Sequence, residues 1–147
     1  MQALERLHPG YGIATVRIMA GIILLVAGLM KWTGPGIAGI TAFFGNVGIP
    51  APAVMAPLLM IFEVVGGLLL IAGAFSRYVG AAMIVQFLVA GLVVSWPSQM
   101  GWGQARLDFL MGACGALFLL SGSGLLSVDA WRAGRGSGPV EARSATI

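Results

Sequence analysis

Residues 53–75, AVMAPLLMIFEVVGGLLLIAGAF, contain a single charged residue, Glu63. A helix needs about 20 predominantly apolar residues to cross the roughly 30 Å hydrocarbon core of a bilayer. Three further stretches of similar length and character, residues 13–32, 78–96 and 106–126, are separated from it by Gly, Pro and isolated charges. We therefore predict an all-α integral membrane protein, a bundle of four transmembrane helices.

The composition excludes an ordinary soluble domain. Of the 147 residues, 59% are hydrophobic and 9% are charged, whereas a soluble domain carries roughly 25% charged residues. The net charge is +3, but the Lys and Arg residues are scattered singly, without the basic patch of a nucleic-acid-binding protein. We predict one transmembrane domain over residues 1–131, and a disordered cytoplasmic tail over residues 132–147, which are mostly Gly, Ser, Ala and Arg.

The positive charges predict an orientation in the membrane, because Lys and Arg accumulate on the cytoplasmic side. With the N-terminus inside, most of them lie on that side: Arg6, Arg17, Arg77, Arg132, Arg135 and Arg143. Lys31 and Arg106 fall on the outer side, where Trp32 would anchor the first span at the interface. We expect a multi-pass protein with both termini in the cytoplasm.

The connection over residues 33–52 carries no charge and leaves two alternatives open. Its apolar residues, which include Phe43 and Phe44, recur at roughly helical spacing, so this segment is either a short interfacial helix or a hydrophobic loop over the bundle. Arg106 and Asp108 open the fourth span. We expect them at the outer interface with Trp32, Phe43 and Phe44, as a solvated rim.

Glu63 is the most informative polar residue, since a charge at membrane depth requires a partner or a function. Gly66 and Gly67 follow at i+3 and i+4, so Glu63 points toward a neighbouring helix and not toward lipid. We predict an ion pair with Arg17, with Arg77 as the rival partner. The pair either fixes helix packing or supplies a carboxylate to a binding cavity in the bundle.

Other polar residues give weaker indications. Gln86 lies in the middle of the third span between Ala82 and Ala90, where it would bond across the bundle or contact a ligand carbonyl. The sequence has one cysteine and one histidine, which excludes an internal dithiol cycle and a histidine-rich metal site. We identify no catalytic set and no metal ligands, so independent catalysis is not expected.

Several motifs together resemble the DoxX family of small four-helix bacterial inner-membrane proteins. They are residues 17–21 (RIMAG), 28–31 (GLMK), 44–52 (FGNVGIPAP), 63–67 (EVVGG) with Leu70, Gly73 and Arg77, and 122–129 (GSGLLSVD). The family takes its name from the small membrane subunit of a sulfur-oxidising, quinone-reducing complex, and other members are linked to thiol and oxidative stress. Family members often have a glutamate where this sequence has Asp108.

The resemblance implies an accessory or anchor subunit of a membrane oxidoreductase, with a redox enzyme as partner and a quinone as ligand. Glu63, Arg17 and Arg77 would act inside the bundle, and Lys31, Trp32, Phe43 and Phe44 would shape an outer-side pocket. Two alternatives remain. The chain is a lipid- or solute-binding or transport protein, for which a homodimer would be needed, or it is a pure membrane scaffold.

Overall fold

The computed structural model describes residues 9–97, 101–124, 126–129 and 131. Its helices are α1 (Pro9–Thr33), α2 (Gly36–Asn46), α3 (Pro52–Ala72), α4 (Ser76–Val89) and α5 (Gly101–Ser121), and α4 continues as a π-helix over Ala90–Ser95. Four stretches are long and apolar enough to cross a membrane: Gly10–Thr33, Pro52–Ala72, Ser76–Ser95 and Gly101–Ser121. The predicted all-α membrane bundle is confirmed. The predicted tail, residues 132–147, lies outside the described residues.

The segment between the first two spans contains a helix, α2. Ile40 and Phe44 of α2 are buried against Ala56 and Met60 of α3. The chain then turns through a non-helical residue, Ala51, in the left-handed region (φ 47°), and α3 begins at the following proline. Residues 33–52 therefore contain the helix that one of the two alternatives predicted, and its position at the membrane interface stays a prediction.

Glycine contacts join α1 to α3 and α4 to α5 as two close pairs. A Cβ added to Gly67 of α3 would lie 2.7 Å from the Leu25 backbone nitrogen and 2.8 Å from the Gly21 carbonyl oxygen of α1. In the second pair, a Cβ added to Gly80 of α4 would lie 2.6 Å from the carbonyl oxygen of Gly115 of α5, and a Cβ added to Gly115 would lie 2.7 Å from that of Gly80. Small residues allow helix backbones to approach closely in membranes, where packing replaces the hydrophobic effect as the force between helices.

We call the end of the bundle that α2 covers the α2 end, and the opposite end, where Arg17 lies, the Arg17 end. At the Arg17 end, the fully buried guanidinium of Arg17 donates to the carbonyl oxygens of Ser123 (2.5 Å) and Leu126 (2.8 Å). Asp129 accepts from the backbone N–H groups of Phe75 and Ser76 at the start of α4. The segment after α5 is therefore bonded to both α1 and α4.

The predicted Arg17–Glu63 ion pair is wrong. The guanidinium of Arg17 lies against Gly73, where an added Cβ would overlap it, and Gly73 is separated from Glu63 by about 15 Å along the axis of α3. Arg77, the rival partner, is exposed and lies near Gly122 at the same end of the bundle. The reach of an arginine side chain cannot span that distance.

The α1–α3 contact gives a stability prediction. Replacing Gly67 by Ala should lower the free energy of unfolding by about 1–3 kcal/mol, because the added methyl group meets backbone atoms of α1 that cannot rotate away. Thermal unfolding in detergent measures the effect. Gly12→Ala is the matched control, since a Cβ there has nothing within 4 Å. Equal melting temperatures for the two variants would contradict the close packing of α1 on α3.

Candidate functional site

Glu63 forms its ion pair with Lys31. The Nζ atom of Lys31 lies 2.8 Å from Oε1 and 2.7 Å from Oε2 of Glu63, and also contacts the carbonyl oxygen of Ala27 at 3.5 Å. The side chain of Glu63 is 5% exposed and that of Lys31 is 28% exposed. The structure describes no other ion pair within 4 Å. Lys31 therefore approaches the buried carboxylate of Glu63 from a position nearer the surface.

Helix geometry explains why Lys31 and not Arg17 meets Glu63. Side chains on an α-helix lean toward its N-terminus, so Lys31, near the C-terminal end of α1, points back into the bundle. One turn earlier, a Cβ at Gly28 would lie 2.9 Å from the Cβ of Glu63. The absence of a side chain at Gly28 lets α3 come close enough for the lysine to reach the carboxylate.

Gln86 connects this ion pair to the second helix pair. Its Nε2 atom donates to Oε1 of Glu63 at 3.3 Å, so α4 is bonded to α3 across the bundle. Its own carbonyl oxygen, Oε1, is buried and has no hydrogen-bond partner in the described part of the chain. Leaving such an acceptor unpaired costs about 1–3 kcal/mol. Gln86 therefore bonds across the bundle as predicted, and its carbonyl oxygen remains able to accept a hydrogen bond from a ligand.

A cleft of about 950 Å³ lies between the two helix pairs and extends beneath α2. Its size is near the upper end of the roughly 300–1,000 Å³ typical of small-molecule sites. Most of its lining is apolar, from Ile23 and Leu24 of α1 to Phe43 and Phe44 of α2. Six polar side chains also line it: Lys31, Glu63, Gln86, Ser95, Gln104 and Asp108. The cleft thus combines a large apolar surface with a few polar groups, as ligand sites do.

Asp108 faces this cleft and not water, so the expectation of a solvated rim is wrong for it. It is 7% exposed, and Ser95 Oγ donates to its Oδ2 at 2.5 Å. Ser95 lies in the π-helix, an arrangement common at functional sites. Ser95 could not be identified from the sequence, because hydropathy carries no signal for a π-helix. Arg106, two residues from Asp108, is exposed as expected.

Of the predicted aromatic residues, Trp32 and Phe43 are exposed, whereas Phe44 is buried against α3. Trp32 is 43% exposed at the C-terminal end of α1, and Trp96 packs edge-on against Trp102 at the same end of the bundle. Aromatic residues at the ends of membrane-spanning helices are typical of a membrane–water interface. The structure therefore brings together Lys31, Glu63 and Gln86 of the predicted residues, and it places Arg17 and Arg77 at the opposite end.

This arrangement can hold a polar head group. An isolated charge at the centre of a membrane helix costs about 2.5–3.5 kcal/mol on insertion scales, so the two opposite charges reduce each other's cost. The carboxylate of Glu63 remains able to accept a hydrogen bond or a proton beside an apolar surface. Among the described residues, no three His, Cys, Asp or Glu side chains are grouped as metal ligands would be.

Comparison with known proteins gives one family and two relatives. Residues 12–96 match the DoxX family model. The chain is 31% identical to "Putative oxidoreductase CatD" of Bacillus subtilis over 118 residues, which cover 80% of this chain and 84% of that protein. It is 30% identical to "Uncharacterized membrane protein Rv3486" of Mycobacterium tuberculosis over 127 residues, 78% and 77% of the two chains. No solved structure matches.

Substituting either member of the Lys31–Glu63 pair should lower stability, but by different amounts. Lys31→Met should lower stability by about 2–4 kcal/mol, because it leaves the more deeply buried carboxylate unpaired. Glu63→Gln should cost less, because the freed lysine can extend toward the interface. Thermal unfolding in detergent of both variants and of the double variant measures this difference. Additive losses in the double variant would contradict a direct pair.

Proposed function

The chain belongs to the DoxX family of membrane proteins, and we propose that it is a membrane subunit of an oxidoreductase system that binds a quinone-type amphiphile in its cleft. The observation that carries this proposal is the Lys31–Glu63–Gln86 group at the polar part of an otherwise apolar cleft. A quinone needs polar partners for the oxygens on its ring and an apolar surface for its ring and tail. The remaining N–H of Gln86 can donate to one ring oxygen, and the apolar lining accommodates the ring and tail.

The route into the cleft also suits a ligand dissolved in the membrane. Leu58 of α3 and Val85 of α4 line the cleft and are 54% and 65% exposed. In a bilayer, these apolar side chains would face hydrocarbon, so the tail of a ligand would continue from the cleft into the lipid. Its head group would then lie beside Glu63 and Gln86.

The electrons would pass to or from a partner enzyme. The chain has a single cysteine, so no dithiol pair forms within it, and its described carboxylates are not grouped as a metal site. A subunit that binds the quinone while a second protein carries the redox centre is consistent with these residues. The name "Putative oxidoreductase CatD" of the Bacillus subtilis relative agrees with a redox system of this kind.

A second candidate is a lipid-binding or transport protein without a redox role. The observation that favours it is the same exposed apolar lining, which would accommodate an acyl chain as well as an isoprenoid chain. The two candidates differ in the head group that the polar residues select.

Quinone binding is tested by incubating the protein, purified in mild detergent and immobilised, with decylubiquinone and quantifying the ligand extracted after washing. We expect about one quinone per chain, and at least about a tenfold weaker affinity for the Glu63→Leu, Lys31→Met double variant, which retains an apolar cleft but loses its charges. Gly12→Ala, remote from the cleft, should bind as the wild type does. Equal retention by the double variant would contradict a site at this pair.

We also propose a bacterial inner-membrane location with the Arg17 end in the cytoplasm. Arg17 and Arg77 lie at that end, whereas Lys31 and Arg106 lie at the other, which agrees with the distribution of positive charge around membrane helices. The polar part of the cleft would then be in the outer half of the bilayer.

Reporter fusions in a bacterial host test this orientation. Green fluorescent protein fused after residue 147 should fluoresce, because it folds in the cytoplasm, and alkaline phosphatase fused after residue 99 should be active outside it. An active phosphatase at the C-terminus, together with an inactive one after residue 99, would reverse the proposed orientation.

A further inference from the structure

The cleft contains more unused hydrogen-bond acceptors than donors near its buried polar groups. Lys31 directs its ammonium group at both oxygens of Glu63 and at the carbonyl oxygen of Ala27. Since an ammonium has three donor hydrogens, these contacts account for its capacity. The hydroxyl of Ser95 donates to Asp108. The strongest donors that line the cleft are therefore already engaged within the protein.

Acceptors remain at three side chains. Oε1 of Gln86 is buried without a partner in the described part of the chain. Its orientation has a physical reason, since turning the amide over would place that oxygen against the carboxylate of Glu63. A carboxylate has about four acceptor sites, and Glu63 uses three of them for Lys31 and Gln86. The buried carboxylate of Asp108 adds further acceptor capacity.

The other polar side chain of the lining does not alter this balance. Gln104 is exposed, so water or lipid head groups can satisfy its amide. One N–H of Gln86 also remains beyond the bond to Glu63. The spare acceptors outnumber this one donor: they are Gln86 Oε1, the fourth acceptor site of Glu63 and the carboxylate of Asp108. A ligand head group is therefore better accommodated if it brings donors.

We infer that the cleft selects ligands whose head group carries hydroxyl donors, and that among quinone-type ligands it binds the reduced quinol in preference to the quinone. This inference rests on the proposed function. A quinol has two O–H groups that can donate to the Gln86 amide oxygen and to the carboxylates. The ring oxygens of a quinone are acceptors alone, and they would face acceptors, which leaves buried polar groups unpaired.

A preference of this kind changes the redox potential of the bound couple. Tighter binding of the reduced form makes its reduction potential more positive, by about 30 mV for each tenfold difference in affinity of a two-electron couple. A quinone bound in the cleft is therefore easier to reduce than one in the membrane pool, so the site favours a partner enzyme that passes two electrons to it, with uptake of two protons, and holds the quinol that forms.

Paired binding measurements test the inference. The immobilised wild-type protein is incubated without oxygen with decylubiquinol or with decylubiquinone, and the dissociation constants are compared. We expect at least about a tenfold preference for the quinol. In Asp108→Asn, which introduces donors in place of an acceptor, the preference should fall to about threefold or less. Asp108→Leu, which removes the same acceptor and adds no donor, gives a second test should Asp108→Asn fold poorly, and it should lower the preference in the same direction.

Controls separate this inference from the proposed function. Arg106→Gln, outside the cleft lining, should retain the wild-type preference. Equal affinities, or a preference for the quinone, would overturn the inference and leave quinone binding in place. Binding of neither form would overturn the proposed function. If dioleoylglycerol, a lipid with a hydroxyl head group, displaced the quinol at equal concentration, selection for hydroxyl donors would stand and a quinone-specific role would be overturned.

Discussion

The salt bridge between Lys31 and Glu63 is the constraint on which the rest of this bundle depends. A carboxylate this deep in a membrane helix requires a cation, and the cation can reach it because Gly28 lets α1 and α3 approach closely. Gln86 extends the same polar group to α4. One set of contacts thus fixes the register of the first helix pair, connects it to the second pair, and places charge at the side of an apolar cleft.

The opposite end of the bundle is organised by a different cation. Arg17 is fully buried and donates to carbonyl oxygens of the segment after α5, while Asp129 of that segment accepts from the start of α4. These bonds connect helices to one another. Both ends hold buried polar atoms without a partner in the described part of the chain: Nε of Arg17 and Oγ of Ser76 at one end, and Oε1 of Gln86 at the cleft. The cleft differs in that its unpaired acceptor borders a largely apolar space of about 950 Å³, which suits it to binding a ligand.

Much of this architecture could be predicted from the sequence, because hydropathy and helix length determine how many spans fit. The inward direction of Glu63 followed from Gly66 and Gly67. Its partner could not be predicted, because four cations lie near the ends of spans and only the helix register decides which one reaches a given depth. Lys31 was predicted to shape an outer-side pocket and not to pair with Glu63, because the sequence does not show how far its side chain leans back into the bundle. The bond that Asp108 accepts from Ser95 could not be predicted either, because a π-helix leaves no periodic signal in the sequence.

We propose that the Lys31–Glu63 pair marks a ligand cleft and is more than a packing contact. Photolabelling with an azido-quinone in reconstituted vesicles, followed by mass spectrometry of the peptides, tests it most directly. We predict label on α3 and α4 residues that line the cleft, near Glu63 and Gln86, and competition by unlabelled decylubiquinone. Label spread over the lipid-facing surface without competition, or concentrated at the Arg17 end, would contradict this account.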